Sequence, residues 1–125
     1  MPKIIVYQCP VTATLSVIGG RWKPILLYTL SNGAKRFGQL DAIIAGISRK
    51  ILTEQLRELE SNGLVIREQF SETPPRVEYS LSEKGKTLKP LMQAMCEWGT
   101  EHVLSTKDEL RDSGSKQMAD KLEVA

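Results

Sequence analysis

Cysteine, histidine and long apolar runs are all scarce in this 125-residue chain, and each scarcity excludes something. Two cysteines, Cys9 and Cys96, and a single histidine, His102, are too few and too scattered for a metal framework. Neither a metal nor another cofactor is expected. One histidine also leaves no warrant for a Ser-His-Asp set, and Gly19-Gly20 lacks both the G-x-G-x-x-G spacing and the lysine of a phosphate loop. No catalytic residue is therefore expected, and an enzyme is the least supported class. No apolar run reaches the roughly 20 residues that span a bilayer. The opening MPKIIVYQCP is too short an apolar stretch for a signal peptide, so the expectation is a cytoplasmic protein with no membrane partner. An excess of one charge is missing too. With 17 basic and 15 acidic side chains the net charge is +2, so any polyanion partner must meet a positive charge gathered on one surface.

What is present is concentrated between Ser48 and Gly85. In SRKILTEQLRELESNG, Ser48 is a suitable helix N-cap and Asn62-Gly63 a suitable stop. At about 100° per residue, Ile51, Leu52, Gln55, Leu56 and Leu59 fall on one arc, with Arg49, Lys50, Thr53 and Arg57 opposite. Long basic donors in the first turns of a helix stand where recognition helices meet base edges. Glu54, Glu58 and Glu60 argue against an indiscriminate polyanion patch and for selective binding. LVIREQF and RVEYSL follow, rich in β-branched and aromatic residues and separated by SETPP. Pro74-Pro75 cannot continue a ladder, so the pair reads as a hairpin with a stiff tip and Arg76 emerging from it. Arg67 lies on the first strand with its face undetermined, and Ser82 is the expected cap of a further helix.

Upstream, Asn32-Gly33 signals a turn, and GQLDAIIAG places Leu40, Ile43 and Ile44 at helical spacing before a compact Ala45-Gly46-Ile47 exit. That is a helix-turn-helix pair feeding the basic helix. The fold class expected is mainly α with a small β-hairpin wing: a winged helix-turn-helix, dimeric. Its partner would be double-stranded DNA. Ser48, Arg49, Lys50 and Thr53 are the candidate base contacts, Lys35, Arg36 and Arg57 the candidate backbone contacts, and Arg76 the wing contact. Lys35 and Arg36 are equally well read as plain solvated cations. The competing class is a winged-helix protein–protein adaptor without specific DNA binding. Such an adaptor gives no reason to array Arg49, Lys50, Thr53 and Arg76 at groove-reading positions.

These residues together resemble the HxlR-type winged helix-turn-helix regulators, relatives of the MarR group. The resemblance is carried by Cys9-Pro10, Gly19-Gly20-Arg21-Trp22-Lys23, Arg36-Phe37, Gly46-Ile47-Ser48, Leu56-Arg57-Glu58-Leu59 and Pro75-Arg76-Val77-Glu78-Tyr79. It covers residues 7–104, taken as one domain with N- and C-terminal dimerisation elements. It leaves 105–125 as a polar tail, with a short helix suggested over 116–123. The resemblance implies a bacterial or archaeal, nucleoid-associated transcription factor acting as a homodimer on a pseudo-palindromic operator.

Cys9 precedes Pro10 at the start of a helix, where backbone dipoles favour thiolate. The resemblance implies a sensor cysteine at this position, with a small electrophile or oxidant as effector. The alternative is a small residue packing the dimer. Cys96, between Met95 and Trp98, reads as core or dimer filling. From Lys84 to Leu104, Leu88, Leu91, Met92, Met95, Trp98, Gly99 and Val103 recur at three- and four-residue steps, a stripe broad enough for a second subunit. Leu91, Met95 and Trp98, with Ile5 and Tyr7 near the N-terminus, are the candidate dimer interface. Pro90 either starts this helix or bends it. Trp22, Ile25, Leu26 and Tyr28 read as core.

Overall fold

The structure, a computed structural model, describes residues 3 and 5–104. The 105–125 tail and the short helix expected at 116–123 lie outside them. After a short 3-10 turn at Val6–Gln8 come α1 (Pro10–Ile18) and α2 (Lys23–Leu30), divided at Gly19-Gly20. Both carry proline in the first turn, where its missing N–H leaves no helical bond unmade. Then follow β1 (Lys35–Arg36), α3 (Phe37–Ile43), α4 (Arg49–Ser61), β2 (Val65–Phe70), β3 (Arg76–Leu81), α5 (Glu83–Lys86) and α6 (Lys89–Gly99), with a wider helical turn over Thr100–Leu104. The mainly helical class with a β-hairpin is the one observed.

The core forms where the apolar arcs of these helices converge. Leu26, Leu27 and Leu30 of α2, Leu40 and Ile43 of α3, and Leu52, Leu56 and Leu59 of α4 are buried together. Trp22, Ile25 and Tyr28 are half-buried against them, which agrees with their reading as core. The arc drawn on α4 holds for its leucines and its cations: Leu52, Leu56 and Leu59 are buried and Arg49, Lys50 and Arg57 are exposed, while Ile51, Thr53 and Gln55 are half-buried at its margins. Burying three leucines on one face fixes the roll of α4 about its own axis. The basic face is thereby fixed outward.

The sheet differs from the expected two-strand hairpin. β2 and β3 pair antiparallel from Val65–Leu81 to Phe70–Arg76, and β1 adds a third strand against β3 through Lys35–Tyr79 and Arg36–Glu78. A two-residue strand whose partners lie far along the chain leaves no local pattern to read. Ser82 ties the end of the hairpin to the turn after α4. Ser82 Oγ accepts the Gly85 N–H at 2.9 Å and donates to the Gly63 carbonyl at 2.6 Å, while its own N–H reaches Leu64 O at 3.0 Å. Gly63 has φ 74°, the left-handed conformation expected of the Asn62-Gly63 stop. Gly85 sits so close that an added Cβ would run into the Leu64 carbonyl. Pro90 occupies the first turn of α6, so it starts that helix rather than bending it, and α5 is a separate turn.

Candidate nucleic-acid interface

The turn between α3 and α4 uses Gly46 at φ 86°, with Ile44 and Ile47 buried on either side. Ser48 then caps α4, its Oγ accepting the Ile51 N–H at 3.1 Å. A cap that accepts through its oxygen keeps its O–H available to donate. Thr53 does the reverse, donating to Arg49 O at 2.8 Å, so its oxygen lone pairs and methyl group remain for a base edge. Lys50 and Arg57 are exposed on the same face. Arg49, 73% exposed, has Nε 3.4 Å from Asp41 Oδ2 and its guanidinium carbon 5.6 Å from the centre of the Phe37 ring. Glu58, one of the acidic residues assigned to repelling phosphate, instead pairs with Lys23 at 3.1 Å and ties α4 to α2.

The wing holds Arg76 firmly. Its partner in the register is Phe70, and the guanidinium lies 4.1 Å from the centre of that ring. One terminal nitrogen meets Glu72 at 3.2 Å, and Nε is buried without a hydrogen-bond partner among the described residues. Arg36, exposed, lines an open cleft of about 360 Å³ together with Phe37, Gly38 and the wing residues Thr73, Pro74 and Pro75. The Thr73–Pro74 peptide is cis. Arg67 is exposed on β2.

Lys35 is placed differently from its reading as a backbone contact. Only 3% of it is exposed, and its ammonium donates to the Gly33 carbonyl at 3.3 Å. Pairing of β1 with β3 turns its stem into the molecule, and only the tip meets a polar partner. Lys35 and Arg36 thus point apart, as neighbours on a strand must. Sequence reasoning missed Asp41, Phe37, Phe70 and Glu72, the groups that hold the two arginines. The Phe70–Arg76 pair follows from the hairpin register. The Asp41–Arg49 pair has no local signal, because it depends on how α3 crosses α4.

Cys9 is the N-cap residue of α1, half-buried. The backbone N–H groups of Thr12 and then Val11, with a smaller contribution from the Thr12 hydroxyl, hold its thiol below the ordinary value against a weaker opposing effect of desolvation. Arg21 and Lys23 are engaged elsewhere: Arg21 lies over Trp22 at 4.9 Å, and Lys23 pairs with Glu58. Cys96 is exposed on α6, its Sγ 3.9 Å from the Tyr28 hydroxyl. It is not core. Ile5, Tyr7, Leu91, Met95 and Trp98 are all exposed, with Val6, Val11, Leu15 and Leu104 beside them in the same two terminal regions. Among the described residues no helix is long and apolar enough to cross a membrane, and no cluster of His, Cys, Asp or Glu could hold a metal ion.

A capped basic helix presented by a helix–turn–helix, with a three-stranded sheet carrying an arginine at its hairpin, defines a winged helix-turn-helix protein. Residues 17–107 match the HxlR-like helix-turn-helix family, and the chain belongs to that family. It is 48% identical over 93 residues to YkvN, an uncharacterised HTH-type transcriptional regulator of Bacillus subtilis, covering 74% of this chain and 79% of that one. Among solved structures it is similar to the redox regulator HypR in its oxidised form, with TM-score 0.73, 50% identity, and 80% and 99% of the two chains covered. It is also similar to the reduced form of the transcriptional regulator YodB from B. subtilis, with TM-score 0.70, 37% identity and 80% and 99% coverage. The protein is a transcriptional regulator of the helix-turn-helix type, with MarR-like relatives. Its relatives are regulators, not enzymes.

Proposed function

We propose that this protein is a sequence-specific regulator that binds a pseudo-palindromic operator as a homodimer, with Cys9 as its thiol sensor. The observation that carries the first part is the placement of Arg49, Lys50 and Thr53 at the exposed start of a helix whose opposite face is locked in the core. Ser48, Arg49, Lys50 and Thr53 are assigned to base edges, Arg36 and Arg57 to phosphates, and Arg76 to the minor groove or backbone beside the wing. Lys35 is withdrawn from the backbone contacts because the residue is buried and its ammonium is bonded to the Gly33 carbonyl. The two exposed apolar regions, at the N-terminus and on α6, are the surfaces assigned to the second subunit, since patches of this kind mark association sites.

The sensor reading rests on the lowered thiol of Cys9 and on similarity to HypR and YodB. Those two proteins are described, respectively, in oxidised and reduced forms and in reduced and diamide-treated forms. Duplexes selected from a random pool by the reduced protein supply the operator probe. Diamide is expected to change affinity for that probe, and Cys9→Ser to abolish the change. A response that persists in the serine variant removes Cys9 as sensor. A pool from which no sequence is enriched removes the operator reading itself.

A further inference from the structure

The first turn of α4 carries Arg49 and Lys50 and no acidic residue. Cations at a helix N-terminus oppose the backbone dipole, so this arrangement costs stability unless something offsets it. The compensating charge comes from the facing helix: Asp41 of α3 places Oδ2 3.4 Å from Arg49 Nε. Phe37, one turn earlier on α3, lies under the same guanidinium at 5.6 Å. Two side chains of one helix therefore grip one side chain of the next. An exposed ion pair of this kind stabilises a fold very little, so its effect must be sought elsewhere.

We infer that Asp41 is a positioning residue for DNA reading: it holds Arg49 in the orientation that meets a base and keeps it off phosphates. The inference rests on the base-contact role proposed for Arg49. The atoms support it. Asp41 engages Nε, the nitrogen nearest the stem, and the side chain remains 73% exposed, so its terminal N–H groups stay available for the O6/N7 edge of a guanine. Restricting the guanidinium in advance, by this ion pair and the Phe37 ring, reduces the ordering cost of a bidentate contact. The carboxylate also opposes approach of a phosphate to the same place, which weakens binding to unselected DNA. Affinity for wrong sequences falls while the right one is kept, and the ratio between them rises.

The test measures affinities of the full chain for a duplex selected by the wild-type protein and for its scrambled counterpart. Wild type, Asp41→Asn, Arg49→Ala and the double variant are compared at several salt concentrations. Asp41→Asn removes one negative charge, which strengthens all DNA binding by simple attraction, and the Arg49→Ala background subtracts that effect. In the presence of Arg49, Asp41→Asn is expected to lower the selected-over-scrambled ratio by about tenfold and to steepen the salt dependence on scrambled DNA by up to about one unit. In the Arg49→Ala background the ratio should not respond to Asp41→Asn. Asp41→Glu, which restores the carboxylate, should recover most of the ratio. An unchanged ratio in Asp41→Asn, or an equal fall with and without Arg49, overturns the positioning role while leaving Arg49 as a base reader. If Arg49→Ala alone leaves the ratio at its wild-type value, Arg49 reads no base, and the role of Asp41 falls with it.

Discussion

Arg49 and Cys9 carry the proposed base reading and thiol sensing, and each makes a prediction about a single side chain. Replacing Arg49 by alanine should relax preference at one base pair by about 1–3 kcal/mol if it reads a base, measured against single-substitution duplexes. A loss equal across all sequences would make it a phosphate contact. For Cys9, a depressed thiol pKa means a larger thiolate fraction at neutral pH than a free cysteine has. The rate of iodoacetamide alkylation, followed in Cys96→Ser, should therefore rise to its plateau at a pH below that of an ordinary thiol. A profile matching free cysteine contradicts the helix-terminus effect. Much of this scale was legible in the sequence. Ser48 and Ser82 cap as expected, because capping depends on neighbours three residues away. Lys35 was not legible, since its burial follows from a strand pairing with Tyr79 that no local pattern announces. Of the two readings of Cys96, core or dimer filling, its exposure removes the first, because an apolar helix face in a sequence does not say which part its own domain covers.

The elements depend on a few ties between them. The wing is held to α4 by Ser82, which caps α5 and bonds the Gly63 carbonyl, and by the close approach of Gly85 to Leu64. Ser82→Ala should destabilise the fold by about 1–2 kcal/mol through loss of the cap. Gly85→Ala should cost more, because the obstruction is backbone and cannot swing aside. Denaturant unfolding checks both, and a Gly85→Ala variant as stable as wild type would contradict the packing described. Helices α3 and α4 and strands β2 and β3 could be read from the helical spacing of Leu40 and Ile43, the Ser48 cap and the β-rich segments on either side of SETPP. The two-residue β1 could not, and neither could the separation of α5 from α6. There the periodic apolar stripe runs across a boundary that Pro90 sets.

At the scale of the whole molecule, the operator binding proposed for a homodimer requires two α4 helices spaced about 34–36 Å apart on one face of the duplex. A charged residue in the exposed apolar surface on α6, as in Trp98→Glu, should therefore dissociate the dimer in sedimentation and weaken binding to a full operator more than to a half-site. Equal sedimentation of variant and wild type would move the subunit contact elsewhere. With a net charge of only +2, the proposed DNA binding must rest on the positive charge gathered on one surface. The most direct measurement is fluorescence anisotropy of the reduced protein with a selected duplex and a scrambled duplex of equal length, each at two salt concentrations. A regulator that reads bases through α4 should prefer the selected duplex by about a thousandfold or more, with the preference surviving the higher salt. Equal, salt-sensitive binding to both duplexes would contradict base reading, and binding to neither would point to a winged-helix adaptor instead.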